Sequence, residues 1–150
     1  MRIAVGSDEA TPLTEHVVND LRRRGCDVRP AGALVDDADV RWPVVGREVG
    51  EAVASGDCEQ GVLFCHTGTG VSIAANKVAG VRAALCGDAQ TAEGARRWND
   101  ANVLVMSLRA TSIDMATEML DAWFGAPAGD ADDACMIAMV NAMDRAKPSE

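Results

Sequence analysis

The sequence has 150 residues, 14 of them Lys or Arg against 23 Asp or Glu, for a formal net charge of −9. A chain of that length buries a sizeable core in one domain, and 48% apolar against 25% charged residues sets it apart from disordered chains. The acidic balance without a basic run argues against nucleic acid as a partner, no apolar stretch reaches the roughly 18 residues of a membrane span, and five cysteines without a CxxC pair suggest neither a zinc knuckle nor a dithiol redox motif.

The opening MRIAVGSD has too short an apolar run for a secretory signal. With unpaired thiols suited to a reducing compartment, it predicts a cytoplasmic protein. Arg2–Gly6 reads as a short buried strand. Residues 13–21 place Leu13, Val17, Val18 and Leu21 at helical spacing behind Pro12, and Gly25 ends that helix. Asp27–Ala33 is a second strand, and Trp42–Ala54 a helix with Pro43 near its start and Gly56 after its end. Gly61–Phe64 is a third strand; a glycine-rich turn follows, then a helix from near Val71 through Lys77. Val81–Leu85 is the fourth strand, Gln90–Trp98 a helix and Val103–Met106 the fifth strand. Residues 112–124 form a helix with Ile113, Ala116, Leu120 and Trp123 on its buried face. After the breaker-rich GAPAGDADD, a last helix over 129–147 carries Met136, Ile137, Met139, Val140 and Met143, and the residues from Lys147 onward fray.

Strands alternating with helices imply parallel pairing through right-handed crossovers. The predicted fold is α/β: a doubly wound, Rossmann-like parallel five-stranded sheet with helices on both faces, an extra C-terminal helix, and one domain over 1–150. The Met-rich stripe of the last helix can pack on its own domain or, the favoured reading, reach a partner subunit.

Ligands of such sheets bind beyond the carboxyl ends of the strands. That directs attention to Asp8 and Glu9, to Cys65 through Gly70, to Asp88, and to Ser107 through Arg109. In GVLFCHTGTGVSIAANK a strand ends at Phe64, and Gly68 and Gly70 let the backbone turn tightly before a helix whose first amides lack internal partners. Such a turn suits an anion or a developing oxyanion. The same field is expected to lower the pKa of the Cys65 thiol, although a free cysteine is often a buried, inert one. Cys26, Cys58, Cys86 and Cys135 are read as structural. Ile73 stands where a dinucleotide fingerprint has its third glycine, and no Gly-Lys-Ser/Thr follows, so neither NAD nor ATP is expected.

The segments MRIAVGSD, WPVVGREVGEAVASG, FCHTGTGVSIAANKVAGVRAALC and NDANVL, spread over residues 1–125, resemble those of the ribose-5-phosphate isomerase B family. That family includes the LacA and LacB subunits of galactose-6-phosphate isomerase, and the second segment looks closest to LacB-like members. The resemblance implies interconversion of aldose and ketose phosphates through a cis-enediol without a cofactor. It implies Cys65 as the base moving a proton between C1 and C2, and Thr67 as the group moving protons between the oxygens. His66, Gly68, Thr69 and Gly70 would hold the enediolate through backbone N–H groups, and Asp8 would bind sugar hydroxyls. Asn99 and Arg109 would contribute to the substrate site, and Glu9, Trp42 and Trp98 are taken as further candidates for it. It also implies homodimers or tetramers with active sites completed across the subunit interface.

Five positions depart from the family pattern. Glu9 stands where the family has His, Trp98 where it has its ring-opening His, and His66 where it has Gly. The arginines that clamp the substrate phosphate fall near Asp132 and Met136. Another cation must then hold a phosphate, or the substrate carries none; Arg41, Arg96, Arg97 and Arg109 are available, Arg96 and Arg97 reading equally as solvated helix surface. His66 can replace the ring opener or serve structurally. Trp98 can stack on a sugar or fill space, and Glu9 can transfer protons or simply hydrogen-bond. His16, beside Glu15, is expected at the surface. The expected function is a cofactor-independent aldose–ketose isomerase acting on a sugar or sugar phosphate; the alternative is a catalytically silent sugar-binding or partner subunit of an isomerase complex.

Overall fold

A computed structural model describes residues 1–145. Its elements in chain order are β1 (Arg2–Ser7), α1 (Pro12–Arg23), β2 (Asp27–Gly32), α2 (Trp42–Ala54), β3 (Gln60–Cys65), α3 (Thr69–Ala75), β4 (Ala83–Leu85), α4 (Ala89–Asn99), β5 (Val103–Ser107), α5 (Ile113–Gly125) and α6 (Ala131–Arg145). The five strands form one all-parallel sheet in the order β2-β1-β3-β5-β4. The predicted end of the last helix, residues 146 and 147, and the fraying tail lie outside the described residues.

Side chains that alternate along each strand divide the core into two layers. Ile3, Val5, Val62, Phe64, Leu104 and Met106 meet α1, α4 and α5 on one face. Ala4, Leu63, Cys65, Val103 and Val105 meet α2 and α3 on the other. Helices on both faces are why the central strands read as unbroken apolar runs. No helix among the described residues is long and apolar enough to cross a membrane.

Two elements differ from the sequence reading in ways that matter. The third helix starts two residues early, at Thr69, because Gly68 takes a left-handed turn (φ 79°) directly before it; a Cβ there would also lie 3.2 Å from the Met106 carbonyl carbon. The fourth strand starts at Ala83 rather than Val81, since the Arg82 N–H donates to the Asn102 side chain (2.8 Å) instead of a strand partner. Beside it the Asn76 side-chain amide bonds both backbone groups of Ala83, at 2.8 and 2.9 Å. At the opposite margin of the sheet, Pro30 sits within β2.

The final helix packs against α4 and is tied down by the Gly80 N–H to Asp144 (2.7 Å) and by Arg82 to Asn141 (3.1 Å). Its Met136, Met139, Val140 and Met143 stay about half or more exposed. One side of this helix lies on its own domain, and the methionine stripe is free.

Candidate functional site

The chain steps outward from β1 to β2, then returns to place β3 on the other side of β1. The connections leaving β1 and β3 run to opposite faces, through α1 and α3, which makes the two strand tips a switch point, where sheets of this kind leave a crevice for ligands. The register pairs Ser7 with Phe64. Asp8 and Cys65 are the next residues along these neighbouring strands, and alternation assigns both to the α2–α3 face.

Cys65 is buried, 5% exposed, in a wall that includes Val45, Val49, Val71 and Ala75. Its carbonyl accepts from the Leu108 N–H at 3.0 Å. Asp8 is half-buried, and its Oδ1 is sealed from solvent with no hydrogen-bond partner among the described residues. Burial, the largest influence, pushes the Asp8 carboxyl above its ordinary value against the pull of its own backbone N–H. The Glu9 charge adds to the rise, and the His66 charge opposes it. Asp8, Glu9 and His66 therefore form one electrostatic cluster. Glu9 is exposed, and its backbone is held in a turn by the Ser7 hydroxyl, which donates to the Glu9 carbonyl at 2.6 Å.

The loop after Cys65 is pinned from β5. The His66 carbonyl accepts from the Arg109 N–H and from the Ser107 hydroxyl, both at 3.0 Å, leaving the His66 side chain exposed. The Thr67 and Thr69 hydroxyls lie 2.7 Å apart. The first helical bond of α3 runs from the Ser72 N–H to the Gly68 carbonyl, so the amides of Thr69, Gly70 and Val71 precede it. Side chains of Thr11, Asp88 and Ser112 cap α1, α4 and α5; α3 begins on Gly68, which has none to offer. The exposed Trp42 ring lies against Gly70, where a Cβ would come within 2.9 Å of it. Trp42, at the start of α2, is thus a wall of the loop.

Thr67 also lines a cleft with Cys86, Ser107, Arg109 and Thr111. The buried Cys86 thiol is pushed up to about 11 by burial and by Asp88, as befits a structural cysteine. Arg109 is exposed and forms no ion pair among the described residues. The other available cations are committed or distant. Arg41 pairs with Asp39 and holds that carboxyl down at about 2. Arg96 is not solvated helix surface: it binds Asp100 (3.1 Å) and the Ala101 carbonyl (2.7 Å) over the Trp123 ring. Arg97 lines a groove between α4 and α6.

Asp88 accepts from the Thr91 N–H (2.7 Å) as the cap of α4. His16 is not a free surface residue; it is half-buried and its Nε2 meets the Thr117 hydroxyl of α5 at 2.8 Å. Trp98 and Asn99 do not join the Cys65 cluster within one chain. The fourth helix starts beyond the carboxyl end of β4 and finishes at the amino end of β5, which carries both residues to the far end of the sheet. There they line a groove with Val81, Met136, Val140 and Met143. The Trp98 ring folds over Gly94, where a Cβ would meet it at 2.7 Å. Among the described residues no three His, Cys, Asp or Glu side chains are arranged to hold a metal. Sequence reasoning missed the Ser107 hydroxyl as the brace of His66, although it lies in a strand-end segment marked for search.

The sequence matches the ribose/galactose isomerase family model over residues 3–140. It is 38% identical over 126 residues to ribose-5-phosphate isomerase B of Escherichia coli (83% of this chain, 84% of that protein). It is 35% identical over 127 residues to galactose-6-phosphate isomerase subunit LacB of Clostridium acetobutylicum (84% and 73%). It is 33% identical over 127 residues to D-erythrulose-4-phosphate isomerase of Pectobacterium atrosepticum (84% of each). The structure of Clostridium thermocellum ribose-5-phosphate isomerase B superimposes with a TM-score of 0.90 at 35% identity, over 97% of this chain and 99% of that one.

Proposed function

The chain belongs to the ribose/galactose isomerase family and is an aldose–ketose isomerase of sugar phosphates, and from that premise we propose that Cys65 is its catalytic base. The observation that carries this reading is the meeting of Cys65, Asp8 and an uncapped glycine loop at the β1–β3 crevice. The Cys65 thiolate takes the proton from C2 of the open-chain aldose. The C2–H electrons form the C1–C2 double bond, and the carbonyl pair moves onto O1. The amides before the first helical bond of α3 stabilise that oxyanion as it forms. Thr67, hydrogen-bonded to Thr69, relays a proton from O2 to O1, and Cys65 returns its proton to C1 to give the ketose.

Asp8 and Glu9 bind sugar hydroxyls, Trp42 confines the loop side of the substrate, and Arg109 takes the phosphate. That Arg109 forms no ion pair among the described residues supports the last assignment. Relatives named for four-, five- and six-carbon sugar phosphates bracket the substrate size. Two copies of the chain pair through the open side of α6, so that Trp98 and Asn99 of one copy approach the crevice of the other. The exposed methionine stripe beside those residues supports this.

The test is solvent exchange. Incubated in D2O with a panel of aldose phosphates, the wild-type protein incorporates deuterium and forms ketose, and Cys65→Ser abolishes both while preserving the fold by circular dichroism. Exchange at the wild-type rate in Cys65→Ser removes the base assignment. A wild-type protein inert on the whole panel, and active only when mixed with a homologous chain, favours the silent-subunit reading.

A further inference from the structure

We propose that His66, just past the tip of β3 and next to the β1 tip that carries Asp8, is the acid–base group that opens a cyclic sugar before the proton is moved between its carbons. The assignment rests on the isomerase reading above. A five- or six-carbon aldose phosphate closes in water to a hemiacetal ring, and without a free carbonyl its C2 proton is not acidic. Opening needs one proton delivered to the ring oxygen and one removed from the anomeric hydroxyl. An imidazole is suited to such transfers near neutral pH.

The sequence holds two histidines. His16 is bonded to Thr117 between α1 and α5, against the sheet face opposite Cys65. A second copy of the chain brings the same two residues, so pairing supplies no other imidazole. His66 remains. Its backbone is fixed from β5 by the Ser107 hydroxyl and the Arg109 N–H, its side chain is exposed, and its charge acts on the Asp8 carboxyl. Asp8 in turn holds an oxygen that is buried and unpartnered among the described residues, at the tip of the neighbouring strand.

The step balances without a co-reactant. Protonated His66 gives its proton to the ring oxygen as the C1–O ring bond breaks. The anomeric hydroxyl loses its proton to the Asp8 carboxylate, and its O–H electrons become the second bond of the C1 carbonyl. Return of that proton from Asp8 to His66 resets the pair.

The experiment measures ribose 5-phosphate turnover against enzyme concentration for wild type and His66→Gln, with His66→Asn as a second variant and a thermal melt of each. Wild-type rates rise in proportion to enzyme. The variants lose about 100-fold in kcat/KM, and at high enzyme their rates level off at the spontaneous ring-opening rate of the sugar. Added imidazole buffer lifts that plateau. With erythrose 4-phosphate, whose O4 is esterified and cannot close a five-membered ring, the loss in folded His66→Gln is at least about tenfold smaller than on ribose 5-phosphate, and an equal loss on both sugars overturns the proposal. A variant rate that stays proportional to enzyme on ribose 5-phosphate, an unchanged rate, or wild-type turnover of the four-carbon sugar alone overturns the proposal. Inactivity of wild type on every sugar of the aldose phosphate panel refutes the isomerase reading itself, and Cys65→Ser reports the base separately by failing on both sugars.

Discussion

Asp8 ionises at a cost that a surface aspartate does not meet. Its carboxyl titrates above the ordinary value, so the folded chain holds that proton more tightly than the unfolded chain does. The resulting stability is fully present below the unfolded value and is lost as pH rises through the folded one. Asp8→Asn therefore raises the melting temperature at neutral pH, the gain shrinking as the solution is acidified into the carboxylate range, and it lowers kcat/KM at the same time. Parallel thermal melts of the two proteins across pH check the sign. Cys65 through Gly70 was legible in the sequence because glycines at a strand-to-helix junction have few other uses. The Asp8–His66 neighbourhood was not, because it depends on β1 and β3 lying side by side with Ser7 opposite Phe64. Trp42 was a candidate without a stated role, since its seat on Gly70 joins residues 28 positions apart.

The elements that aim the site are α2 and α3. They touch through Gly46, where a Cβ would come within 2.8 Å of the Ala74 Cβ and 2.9 Å of the Val71 carbonyl oxygen. Backbone cannot give way there as a side-chain tip can. Gly46→Ala therefore destabilises the protein by about 1–3 kcal/mol, read from urea unfolding, and raises KM by displacing the start of α3 from the strand tips. The helix periods were plain in the sequence, and boundaries fell within one or two residues. Where they slipped, a particular group intervened: the left-handed Gly68 brought α3 forward, and the Asn102 side chain delayed β4. His16 was misread because one apolar face defines an amphipathic helix, whereas its half-burial against Thr117 comes from α5, a hundred positions away.

At the scale of the whole molecule, the alternation of strands and helices conveyed the parallel sheet, its strand number and its two covered faces. Strand order was not legible, because local sequence does not say on which side of β1 the chain returns. Nor could it reveal that Trp98 and Asn99 lie at the far end of the sheet from Cys65, a separation that one chain alone does not close. If pairing closes it, charges in the methionine stripe undo both assembly and activity. Met139→Glu combined with Met143→Glu shifts the protein from dimer or tetramer to monomer by light scattering, with loss of turnover but little change in the melting of the single domain.

The margins of the sheet constrain how those copies can meet. Pro30 lacks an amide hydrogen on one flank, and Asn76 occupies both backbone groups of Ala83 on the other. Neither flank offers a foreign strand an uninterrupted ladder, so the fold resists templating fibres from its own edges. Any pairing of copies would therefore run through the helices rather than by extending the sheet.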